Sequence, residues 1–256
     1  MWLRLKQLAL VARNLPPVVE DLREVFGLEV GFRDPGVKVF GLENAIFPVT
    51  NQFIEVVSPI QEGTAGGRYL DRRNGDGGYM VILQCDDHAP RKKRVGELGI
   101  RKVVEQDEPE YKIMQLHPRD TGGSFLEIDV QIGGEDINGP WHPAGRNWRS
   151  AVRTDVIRAL ATAEIQSPEP DQLAARWSSI LELPLEPDAV GHPSLRLQNA
   201  SIRFVKECDG RGEGLGGIDL VVADRQRLIA NAERRGRRVS DDLVMVCGIR
   251  FRLLEA

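Results

Sequence analysis

The sequence predicts an α+β protein built from four tandem strand–helix–three-strand (βαβββ) units that form two domains. Three observations carry this. An apolar strand followed by an amphipathic helix and further short strands begins at residue 3, begins again at 79, and recurs after 156 and after 217. Glycine-rich connectors, 61–78 and 210–217, separate the units within each half. The length of 256 residues is too great for one small domain and suits two of ordinary size. The expected boundaries are 1–132, a linker at 133–155, and 156–256.

Leu3 to Val11 alternates apolar and polar residues and then runs apolar, as in a strand buried on at least one face. Asn14 is a candidate N-cap, and Leu15-Pro16-Pro17 opens a helix in the way proline favours. Val19, Leu22, Val25 and Phe26 recur at helical spacing, and Gly27 ends the helix. Extended segments are expected at 28–33, 37–42, 45–48 and 53–57, separated by turn residues such as Asp34-Pro35-Gly36. Residues 61–78 carry glycine and charge without the GxxxxGK[ST] pattern, so they are expected to be a connector and not a phosphate loop. The second unit then reads as a strand at 79–84, a polar helix at 88–98 and three strands ending at 124–130. Trp141 and Trp148 in the linker imply that it packs down on a domain surface. The third unit has a strand at 160–166 and a helix opened by Pro168-Glu169-Pro170, with Leu173, Trp177, Ile180 and Leu181 on its apolar face. The fourth has strands at 218–222 and 248–253 around a helix at 224–234.

Composition excludes several classes. A net charge of −4 gives no nucleic-acid footprint, and Arg91-Lys92-Lys93-Arg94 reads as a solvated helix face. No stretch has the run of apolar residues a membrane span needs. Three scattered cysteines, Cys85, Cys208 and Cys247, make neither a disulfide framework nor a zinc site. A cytoplasmic protein is expected, either a monomeric fused pair or a homodimer, with a small-molecule substrate or ligand and no nucleic-acid or membrane partner.

Two stretches carry a family resemblance. Gly75-Asp76-Gly77-Gly78-Tyr79-Met80-Val81 with Cys85-Asp86-Asp87 is one. Leu116-His117-Pro118-Arg119-Asp120, Gly122-Gly123 and Phe125-Leu126-Glu127-Ile128 make the other. Together with the four repeated units they resemble the vicinal-oxygen-chelate (glyoxalase-like) superfamily, which includes glyoxalase I, methylmalonyl-CoA epimerase, extradiol dioxygenases and the fosfomycin- and bleomycin-resistance proteins. The first half is most similar to the epimerase-like members.

The resemblance implies a site on the first and last strand of each unit. In the first unit these positions fall on Gln7 and Glu55, and in the second on Met80 and Glu127, with spacings that agree to within one residue. Gln7, Glu55 and Glu127 are thus the implied metal ligands, with Tyr79 and Met80 lining the pocket. Met80 departs from the pattern, which usually has histidine. Oxygen donors of this kind suit Mg or Mn, with Ni or Zn as the other candidates, and no organic cofactor is implied. Glu127, Glu55 and His117 are the implied catalytic residues of an isomerase, epimerase or lyase that acts on a small carbonyl or thioester through an enediolate. Read without the resemblance, Glu55 and Glu127 are carboxylates on alternating strands that point to water; for His117 the resemblance also implies a structural role, capping a loop or lining the pocket. In the second domain the matching positions fall near Thr162, Arg203, Ile218 or Asp219, and Arg250 or Arg252, so no metal set is expected there. A metal-free small-molecule binder of the resistance type and a non-catalytic scaffold are the alternatives.

Overall fold

The computed structural model describes residues 1–255. In chain order the first half contains β1 (Leu3–Val11), α1 (Leu15–Phe26), β2 (Leu42–Val49), β3 (Gln52–Pro59), α2 (Ala65–Arg72), β4 (Gly77–Cys85), α3 (His88–Glu97), β5 (Lys102–Asp107), β6 (Tyr111–Leu116), α4 (Pro118–Thr121) and β7 (Phe125–Gln131). The second contains β8 (Ile157–Ser167), α5 (Pro170–Leu181), β9 (Leu185–Pro187), β10 (Pro193–Arg196), β11 (Ser201–Lys206), β12 (Gly214–Val222), α6 (Arg225–Arg234), β13 (Leu243–Val246) and β14 (Ile249–Glu255). The strands form two mixed seven-stranded sheets, ordered β2-β3-β1-β4-β7-β6-β5 and β13-β14-β12-β8-β11-β10-β9. The α+β class and the four repeated units follow the sequence reading. No helix among the described residues is long and apolar enough to cross a membrane.

The helices form where periodicity places them. α1 buries Val18, Val19, Leu22, Val25 and Phe26, and it ends on Gly27, whose left-handed φ of 68° lets its N–H reach Leu22 O. α5 buries Leu173, Trp177, Ile180 and Leu181 as its spacing predicts, with Trp177 edge-on to Phe204. Three expectations fail. Residues 28–33 form no strand, only a single bridge from Phe32 to Ile46. Residues 37–42 are not a strand: Asp34 caps Gly36 N, and Pro35–Phe40 winds into a 3₁₀ turn, so the β-branched Val37 and Val39 are overruled by the turn chemistry before them. The 61–78 connector contains a helix, α2, capped by Thr64 Oγ1 on Gly67 N and held by burial of Tyr69 and Leu70.

These departures change the repeats. The second and third units keep three strands after the helix, whereas the first and fourth keep two. By mutual contact the chain forms two compact units. One comprises Met1–Gln7, Tyr79–His142 and Thr162–Leu215, and so holds the second and third repeats; the other comprises Leu8–Gly78, Pro143–Ala161 and the chain from Gly216, and so holds the first and fourth. Within the former, Arg91 donates to Leu181 O (2.7 Å) and Arg94 to Ser179 O (2.7 Å), tying α3 to α5.

Within the latter, Asp21 of α1 lies 1% exposed and receives Arg235 (Nη2, 2.8 Å) and Arg237 (Nη2, 2.6 Å) from just beyond α6. Removing this buried carboxylate breaks two ion pairs at a helix–helix contact, although Arg235 keeps Glu20 and Glu24 (3.4 Å each), so Asp21→Ala should cost roughly 1–3 kcal/mol. The exposed pair Arg13–Asp71 should cost under about 0.5 kcal/mol when Asp71→Ala breaks it. Chemical denaturation of the two variants checks the contrast.

Candidate active site

β4 and β7 run parallel in a register that sets Met80 beside Phe125, Ile82 beside Glu127 and Gln84 beside Asp129. Paired residues of a parallel ladder share a face, so Met80, Glu127, Asp129 and Gln84 lie on one side of the sheet. β6 adds Gln115 opposite Glu127 and Tyr111 opposite Gln131. The side chains follow this register. Gln115 Nε2 donates to Glu127 Oε2 at 2.9 Å and lies 3.8 Å from Met80 Sδ. The Tyr111 hydroxyl donates to Asp129 Oδ2. The Tyr111 ring is itself fixed, edge-on to Trp141 (5.4 Å) and stacked on His142 (5.3 Å).

This places two carboxyl groups close together in a nearly dry environment. Glu127 is 7% exposed and Asp129 is fully buried. Burial, followed by the charge of Glu127, holds Asp129 well above the usual carboxylate range. Burial also raises Glu127, against the opposing hydrogen bonding from Asp129 and Gln115. Two carboxyls so placed do not both ionise readily, and the pair retains a proton at a pH where an exposed carboxylate has lost its own.

The remaining expected residues have the following partners. Gln7, 1% exposed, accepts the Trp141 indole N–H on Oε1 at 2.8 Å. Glu55, in the other compact unit, accepts from Asn44 Nδ2 at 2.6 Å on the neighbouring strand, and its carboxylate is buried, not turned to water. His117 caps the short α4, its Nδ1 accepting from Arg119 N at 3.2 Å. The Tyr79 ring lies against Phe125 (5.1 Å), and Ser124 Oγ donates to its carbonyl. In the second sheet Arg203 makes a buried ion pair with Glu164 (2.7 Å), and Arg252 lies 4.0 Å from Asp219. Cys85 offers no competing nucleophile, because burial pushes its thiol up to about 12.

A glyoxalase-like domain model matches residues 8–181, which is more than half of the chain and runs through the linker into the second sheet. The chain belongs to the glyoxalase-like domain family. The structure of a hypothetical protein from Staphylococcus aureus shares the fold over the whole of both chains, at a TM-score of 0.68 and 12% identity. In sequence, the first half is similar to the ethylmalonyl-CoA/methylmalonyl-CoA epimerase of Cereibacter sphaeroides, 26% identical over 135 residues, covering 49% of this chain and 96% of that one. A Streptomyces coelicolor methylmalonyl-CoA epimerase structure aligns with 50% of this chain and 96% of its own at 20% identity and a TM-score of 0.44.

Members of the wider superfamily commonly bind a divalent metal. The donors of this glyoxalase-like chain do not fit one. The Gln7 carbonyl already accepts an indole N–H, Met80 brings a thioether where a hard ion needs nitrogen or oxygen, and Glu127 accepts from Gln115 with its proton affinity raised by burial. Among the described residues no three His, Cys, Asp or Glu side chains gather in a metal-holding group. Sequence reasoning missed Asp129, Tyr111 and Gln115. Asp129 carried a signal, since it stands two residues beyond Glu127 and shares its strand face.

Because both carboxyls bind protons more tightly in the folded chain than in the unfolded one, the pair contributes stability that is complete below the ordinary carboxylate range. That contribution is lost as pH rises through the raised values. Asp129→Asn keeps an acceptor for Tyr111 and removes one titrating group. Its thermal midpoint should therefore fall less than the wild type's between about pH 5 and about pH 9, as read by calorimetry.

Proposed function

We propose that this glyoxalase-like chain is a metal-independent isomerase or epimerase acting on a small carbonyl or thioester substrate, with Glu127 as the group that moves the proton. The observation that carries this reading is the Glu127 carboxyl itself. It reaches the sheet surface at 7% exposure, is raised by burial, and is backed by a second carboxyl, Asp129. A base matched to a weakly acidic carbon needs such an upward shift. In the reaction, the ionised Glu127 takes the proton α to the carbonyl. The C–H electron pair moves into the carbonyl to give an enolate, and reprotonation of that carbon gives the isomer. Asp129, held by Tyr111, keeps the pair's shared proton and is a positioning residue. Gln115 orients the Glu127 carboxyl. His117, at the entrance to β7, is the candidate for the group that returns the proton from the other face.

The sequence similarity to an epimerase named for ethylmalonyl-CoA and methylmalonyl-CoA supports branched malonyl-type thioesters as the first substrates to try. The second reading is a small-molecule binding protein without chemistry, favoured by the apolar Met80 and Phe125 beside Glu127.

Solvent deuterium exchange at the α-carbon of methylmalonyl-CoA, followed by mass spectrometry, tests the proposal. Wild type should exchange, and Glu127→Gln should lower kcat by roughly 10²–10⁴-fold with KM little changed. Undiminished exchange in Glu127→Gln would contradict the assignment. Binding without exchange in wild type would favour the second reading.

A further inference from the structure

Arg4 and Lys6 of β1 are 6% and 1% exposed, unusual burial for cations on a sheet face. Both point into the segment that follows β7. Arg4 Nη1 donates to Gly134 O (3.1 Å), Arg4 Nη2 to Glu135 O (2.8 Å), and Lys6 Nζ to Ile137 O (3.1 Å). Gln84 Nε2 of β4 joins them on Gly134 O at 3.0 Å. Four N–H donors from two strands thus converge on backbone oxygens of one short loop, an array that receives oxygen atoms carrying negative charge. The acidic Glu135 and Asp136 of the loop supply that charge to Arg4.

The loop is a compact turn closed at its base. Its ends meet at a neck, where a Cβ on Gly139 would lie 2.6 Å from Gly133 O. Gly133 adopts a left-handed φ of 75°, and Gly139 N donates to Asp136 O at 2.8 Å. Outside the neck, Glu135, Asp136 and Asn138 are exposed. The chain continues to Trp141, which is anchored independently on Gln7.

We propose that the floor formed by Arg4, Lys6 and Gln84 is a binding site for a multiply charged oxyanion, a dicarboxylate or a phosphate group, and that the acidic loop 134–138 is a resident stand-in which such a ligand displaces. Arg4 offers two parallel N–H groups to one oxyanion, Lys6 adds a second positive charge, and Gln84 completes the oxygen shell. This site does not depend on the chemistry assigned to Glu127.

Isothermal titration with malonate and with inorganic phosphate, at constant ionic strength set by sodium chloride, tests it on the full chain. Hydrogen exchange of residues 134–138 is measured alongside. Saturable binding with faster exchange in the loop is expected from one anion or both. Malonate alone assigns a dicarboxylate ligand, and phosphate alone assigns a phosphate group. The double variant Glu135→Gln, Asp136→Asn alters exposed side chains and weakens the resident, so it should bind roughly three- to tenfold more tightly. Arg4→Gln should lose binding. Absence of saturable heat in both wild type and double variant would overturn the proposal. So would equal affinity in the two without any change in loop exchange, since the anion would then sit elsewhere.

Discussion

The hydrogen bond from the Trp141 indole to the Gln7 side chain governs what the first sheet offers to a ligand. Gln7 is where the superfamily pattern expects a metal donor, and its one carbonyl oxygen is committed to an indole N–H at 2.8 Å in a buried setting. A buried amide oxygen that gives up such a donor leaves the indole unsatisfied, at a cost of about 1–3 kcal/mol. Trp141 also fixes the Tyr111 ring, and Tyr111 holds Asp129. One linker tryptophan therefore both engages the Gln7 amide and steadies the ring that holds Asp129. Burial and mutual interaction set the proton affinities of that pair, which is why the proposed chemistry is proton transfer.

The second constraint is the uneven condition of the four repeats. The second and third are complete, and the first and fourth lack one strand each. In the first repeat the missing strand is reduced to a bridge between Phe32 and Ile46, followed by a 3₁₀ turn whose Val39 and Phe40 are exposed. Arg203 and Arg252, at positions where the pattern has carboxylates, are paired with Glu164 and lie near Asp219. The second sheet thus keeps its strand ladders while its polar positions have turned to ion pairing.

Much of this was legible in the sequence because it is local. Helical spacing in Leu22, Val25 and Phe26, the proline openings of α1 and α5, and the strand runs each fix an element within a few residues. The spacing of Gln7, Glu55, Met80 and Glu127 located positions on the strands. What could not be read depended on distant partners. The glycines of 65–67 read as a connector, yet burial of Tyr69 and Leu70 makes them the first turn of a helix. The Trp141–Gln7 bond joins residues at opposite ends of the domain, and no pattern in either neighbourhood announces it. Asp129 reads as an ordinary strand acid until the ladder seats it under Tyr111, with no water to ionise it.

In the proposed function Gln7 and Glu127 serve protein partners and proton transfer, and neither is a metal ligand. Calorimetric titration of the chelator-treated chain with Mn²⁺, Ni²⁺ and Zn²⁺ tests it most directly. No stoichiometric uptake and no change in tryptophan fluorescence are expected. One tightly bound equivalent that disappears in Glu127→Ala would contradict it.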